Sequence, residues 1–82
     1  QVEEAARRVQ ALLEEAKARG LILEYRLDRF SGEPFPGVGG LAFYPKEAPK
    51  EAIEALEEAF LDIEDALDVG VAVILVPRNG AA

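Results

Sequence analysis

The sequence contains no His, Cys, Met or Trp, no Thr, and a single Ser at Ser31. Each absence removes a chemistry. Without His or Cys there is no Ser-His-Asp or Cys-His nucleophile, no zinc site of the usual ligands, no disulfide, and no haem or iron–sulfur ligation. Basic residues are scarce, with 9 Lys and Arg against 16 Asp and Glu, a net charge of -7. Nucleic-acid binding draws on basic side chains that displace counterions, so no nucleic-acid partner is expected. No apolar run reaches the roughly 18 residues of a membrane span, and there is no signal-peptide pattern. The expectation is a soluble protein, recombinant or cytoplasmic, without a membrane partner.

What is present is enough for a core. Half of the 82 residues are hydrophobic, which sets the chain apart from a disordered acidic tail and fits one small domain spanning 1–82. Val2, Ala5, Ala6, Val9, Leu12, Leu13 and Ala16 recur at three- and four-residue steps. They predict a helix over 2–19. Glu3 with Arg7 and Glu4 with Arg8 are spaced to pair on its wet face, and Gly20 sits where a left-handed cap belongs. Leu21, Leu23, Tyr25 and Leu27 fall on one face, with Glu24, Arg26 and Asp28 on the other, and predict a strand over 21–29. The breakers between Ser31 and Gly40 predict a loop over 31–40, followed by a strand over 41–45 with Leu41 and Phe43 in the core.

Ile53, Leu56, Phe60, Ile63 and Leu67 predict one helix over 48–67, which Pro49 can open. Asp62 followed by Asp65 resembles an N-cap and its capping partner, so a break near residue 61 is the competing reading. The continuous apolar run at 69–77 predicts a third strand, buried on both faces or paired deep in a sheet, with a tail at 78–82. The order is α-β-β-α-β. The fold class is α+β, a two-layer α/β sandwich with two helices on one face of a three-stranded mixed sheet.

Candidate sites are few. Gly37-Val38-Gly39-Gly40 invites a phosphate-loop reading, but such loops feed a helix and this stretch feeds a strand without a following Lys. The acids Asp62, Glu64, Asp65 and Asp68 have helical spacing and no loop glycine, so they read as a solvated face, with no metal site. Ser31 has no base beside it, and Lys17, Lys46 and Lys50 sit in polar contexts, so no catalytic residue, no cofactor and no enzyme activity is assigned. Phe30 and Phe35 flank the loop and, with Gly37, Gly39 and Gly40, form the one candidate binding group. If Val71, Val73 and Leu75 face the helices, then Ala72, Ile74 and Val76 make an apolar stripe on the other side, where strand one is polar. An uncovered stripe on an edge strand favours association. A homodimer through 71–76 or through the open sheet face is the expected interface.

The helical segments, such as Glu3-Glu4-Ala5-Ala6-Arg7-Arg8 and Glu51-Ala52-Ile53-Glu54-Ala55-Leu56-Glu57-Glu58-Ala59, resemble those of computationally designed idealised α/β proteins. Thermophile proteins share the style. The resemblance implies a heat-stable engineered scaffold without enzymatic activity. The alternatives are a thermophile interaction module that uses 71–76 or the Phe35 loop, and a small-ligand domain that uses loop 31–40. With a broken second helix the order is similar to type-two KH and BolA-like folds, and Asp28-Arg29-Phe30-Ser31-Gly32-Glu33 looks like a short BolA-family stretch. The Arg-His-Arg segment expected after it is missing, and residues 59–64 lack the Gly-x-x-Gly turn of a KH domain, so neither function carries over. The ferredoxin-like fold is also similar, apart from its first strand.

Overall fold

A computed structural model describes residues 1–30 and 36–79. Five elements follow one another: α1 (Val2–Ala18), β1 (Glu24–Phe30), β2 (Gly37–Pro45), α2 (Lys50–Leu67) and β3 (Gly70–Arg78). The sheet order is β1-β2-β3, with β1 antiparallel and β3 parallel to the central β2. Both helices pack on one face, which is the α+β two-layer arrangement expected. Phe35 and the rest of 31–35, together with the end of the tail at 80–82, lie outside the described residues.

The helices form where periodicity places them. α1 buries Ala5, Ala6, Val9, Leu13 and Ala16; α2 buries Ile53, Leu56, Phe60, Ile63 and Leu67. α1 ends as its sequence demands. Gly20 takes a φ of 78°, its N–H bonds the Lys17 carbonyl at 3.0 Å, and the Leu21 N–H bonds the Ala16 carbonyl at 2.8 Å. This is the reciprocal pair of a Schellman cap, and buried Leu21 closes it against buried Ala16. α2 runs unbroken through residue 61, so the break is not there. Asp62 is a mid-helix exposed residue, and Asp68 is the left-handed cap, its N–H on the Glu64 carbonyl at 2.8 Å. Among surface pairs, Glu4 takes both Arg7 and Arg8, whose hydrogen bonds hold its carboxyl below the usual range, while Glu3 reaches across to Arg29 of β1 at 3.0 Å and not to Arg7.

The strands depart from the sequence reading in three ways. First, β1 begins at Glu24 and not at 21. The Leu23 N–H bonds the Phe43 carbonyl at 2.7 Å, although the register pairs Glu24 with Phe43. That one-residue slip breaks the alternation, so Ile22 is 1% exposed and Leu23 is 37% exposed. Secondly, Gly37, Gly39 and Gly40 are strand residues of β2 and not loop residues. Thirdly, the phase of β2 is opposite to the one expected. Val38 and Ala42 are buried in the core, and Leu41 and Phe43 lie on the open face.

Glycine is what lets β2 run between its neighbours here. A Cβ on Gly40, whose φ is +155°, would sit 1.9 Å from the Arg26 carbonyl oxygen, and one on Gly37 would sit 2.5 Å from the Gly70 carbonyl oxygen. A Cβ on Gly70 meets nothing closer than 3.6 Å. Gly40→Ala therefore forces β1 away from β2. It is expected to cost as much as or more than the upper end of the about 0.5–3 kcal/mol typical of single substitutions. Gly70→Ala should be close to neutral. Urea titration of the two variants checks this, and a Gly40→Ala protein as stable as the parent contradicts the close approach.

Candidate interaction surface

The register lays out the face of the sheet turned away from the helices in four rows. They read Glu24, Phe43, Val76; then Arg26, Leu41, Ile74; then Asp28, Gly39, Ala72; then Phe30, Gly37, Gly70. The intervening residues Tyr25, Leu27, Val38, Ala42, Val71, Val73 and Leu75 belong to or pack against the core. One column of this face is charged and two are apolar. β1 solvates its side with Glu24, Arg26 and Asp28, whereas β2 and β3 present Leu41, Phe43, Ala72, Ile74 and Val76. Ile74 is 60% exposed, Phe30 41% and Leu41 38%. Among the described residues β3 is thus an edge strand with one face uncovered, and it is neither buried on both faces nor deep in the sheet.

Two contacts partly close this surface. The Phe30 ring lies over Gly39, with its Cε1 3.0 Å from where a Cβ would stand, so an aromatic side chain fills the space the glycine leaves. At the other end the Arg78 guanidinium stands 4.1 Å from the centroid of the Phe43 ring and hydrogen-bonds the Glu24 carboxylate. Arg78 thereby spans all three strands. Its hydrogen bond, and then its charge, hold the Glu24 carboxyl below the ordinary carboxylate value.

The remaining candidates do not converge on one another. Gly37, Gly39 and Gly40 are tied into the ladders of β2 and form no anion cradle. A cleft of 560 Å³ lies where Phe30, Pro36, Gly70 and Ala72 meet the end of α2, with Glu64, Asp65 and Asp68 on its rim. One of those acids has a structural task, because Glu64 Oε2 accepts the Val71 N–H at 3.2 Å. Among the described residues no group of three or more His, Cys, Asp and Glu side chains is placed to hold a metal ion. Lys17, Lys46 and Lys50 are exposed. The Tyr25 hydroxyl donates to Glu14 and ties β1 to α1; burial, then that carboxylate, push its pKa up, away from nucleophile chemistry at neutral pH.

No family model matches the chain, and no curated protein matches it. Among the described residues no helix is long and apolar enough to cross a membrane.

Sequence reasoning found the stripe at Ala72, Ile74 and Val76 but missed that Leu41 and Phe43 extend it, and it missed the Arg78 clasp. Glu24 gives that clasp a pH signature. Its folded pKa is depressed, so the contribution of the bridge is complete above the unfolded carboxylate value and is lost as pH falls through the depressed one. Glu24→Gln should therefore lower the urea midpoint at neutral pH and leave it unchanged in strong acid. A deficit that persists undiminished in acid would mean the carboxylate charge is not what Arg78 uses.

Proposed function

We propose that this chain is a non-catalytic protein-association domain whose working surface is the half of the sheet formed by β2 and β3. One observation carries the reading: Ile74 stands 60% exposed in the middle of a nine-residue edge strand. Exposed edges are ordinarily blunted by charge, proline, a bulge, shortness or a covering segment, and of these β3 carries only Pro77 near one end and the Glu64 side chain on the Val71 N–H near the other. β3 has no charge before Arg78, and its register with β2 is unbroken from Gly70 to Arg78. Leu41 beside Ile74 widens the apolar area, and the acids Glu64, Asp65 and Asp68 reach the sheet at the Gly70–Ala72 end of β3, away from Ile74.

The engineered-scaffold reading stays as the second. In its favour, no polar or charged side chain is buried among the described residues, and the cap of α1, the acids of its first turn and its apolar phase all agree. On that reading the bare edge has no task. Of the loop 31–40 behind the small-ligand reading, Gly37, Gly39 and Gly40 are strand residues of β2 and 31–35 lie outside the described residues, so no observation favours that reading.

Sedimentation velocity from low micromolar to millimolar protein separates the first two. Association predicts that the mean mass rises above 8.9 kDa with concentration, and that Ile74→Lys, folded by circular dichroism, stays at monomer mass. A parent chain that is monomeric throughout overturns the association reading and leaves the scaffold.

A further inference from the structure

The association reading leaves the partner open, and the backbone of β3 narrows it. The Gly70 N–H donates to the Pro36 carbonyl at 3.2 Å, and the Arg78 carbonyl accepts from the Lys46 N–H at 3.0 Å. Even-numbered residues of β3 therefore turn their backbone groups toward β2. Successive residues of a strand turn opposite ways, so 71, 73, 75 and 77 turn theirs toward the open edge. Val71 fits this direction, because its N–H goes to the Glu64 side chain at 3.2 Å. Residue 77 is a proline and has no N–H. The edge thus offers two free donors, at Val73 and Leu75, between one that is occupied and one that does not exist. No described residue pairs with them.

We infer that this edge is taken by a second copy of the chain, with the two β3 strands antiparallel and the two-fold axis at Ile74. The inference rests on the association reading and names its partner. In that register Val73 faces Leu75 of the second copy, Leu75 faces Val73 of the second copy, and each pair exchanges both hydrogen bonds. Val71 faces Pro77 of the second copy, so the two positions with no N–H to offer meet each other and no donor is stranded. Moving the axis by one residue in either direction keeps four hydrogen bonds, because each free donor still meets an outward carbonyl, but it sets Ile74 against Ala72 or Val76 of the second copy and not against its own image. The axis at Ile74 brings this residue, the most exposed large apolar side chain of the described residues, against its own image in a non-hydrogen-bonded pair, where side chains come closest. Ala72 then stands opposite Val76 of the second copy, a small residue against a larger one. On the helix side, the half-buried Val73 and Leu75 continue the core of one copy into the next. A two-fold interface requires such a self-complementary patch, and segment 71–77 is one. Two three-stranded sheets become one of six strands.

The chain has no cysteine, so each introduced thiol reports a single position. Ile74→Cys should form a disulfide-linked dimer under mild oxidation. It should do so about tenfold or more faster than Leu61→Cys, an exposed position on α2, because facing Cβ atoms in such a pair already lie near bonding distance. Ala72→Cys and Val76→Cys should link to each other when mixed and only slowly to themselves. Val73→Pro, which removes an outward N–H and none of the ladder with β2, should abolish the Ile74→Cys linkage while circular dichroism stays native. A chain that associates by sedimentation but whose Ile74→Cys links no faster than Leu61→Cys overturns this arrangement and leaves the association reading standing. A chain that remains monomeric at millimolar concentration overturns both.

Discussion

Two amphipathic helices, each with one apolar stripe, can cover one face of a three-stranded sheet and no more. Most of what this chain shows follows from that limit. Among the described residues the covered face holds a buried core made only of apolar side chains, from Ala5 on α1 to Val69 beyond α2. The other face has to be made tolerable to water strand by strand. β1 does this with Glu24, Arg26 and Asp28. β2 and β3 do it only in part, through Phe30 lying on Gly39 and Arg78 lying on Phe43, and Leu41 and Ile74 remain bare.

The central strand carries a second constraint. β2 is hydrogen-bonded on both sides, and at Gly40 and Gly37 the flanking backbones come so close that a methyl group has no room. Glycine there serves sheet geometry and not ligand binding. Charge is divided along the same layering. The acids of α2 crowd the outer helical surface, whereas the open face carries Glu24, Arg26, Asp28 and Arg78 in near balance. The strongly negative net charge is therefore concentrated on the helical layer and not on the open face of the sheet.

The helices were legible in the sequence because period 3.6 is written in side chains of unambiguous polarity, and Gly20 because only a left-handed cap follows a stripe that ends at Ala16. The order of elements was legible as well, and the stripe at Ala72, Ile74 and Val76 followed from strand geometry alone, since a continuously apolar run must turn every second side chain away from the helices. What was not legible is the phase of β2. Glycines at 37, 39 and 40 have no side chain with which to mark a face, so the alternation began for the reader only at Leu41, and a Leu and a Phe were assigned inward by default. The slip at Leu23 was hidden likewise, since Leu21, Ile22 and Leu23 are all apolar and any phase suits them. The tasks of Glu64 and Arg78 depend on which backbone group or ring lies beside them in space, which no local pattern records. Phe35, the other aromatic of the candidate loop, falls outside the described residues.

The central claim is that β3 is an edge with its odd-numbered amides turned outward and its even-numbered amides held by β2. Amide hydrogen exchange on dilute protein, resolved residue by residue, reads this directly. The account predicts slow exchange at Ala72, Ile74 and Val76 and fast exchange at Val73 and Leu75. Equal protection along the whole strand at high dilution would mean that β3 is covered on its outer side and that the edge described here does not exist.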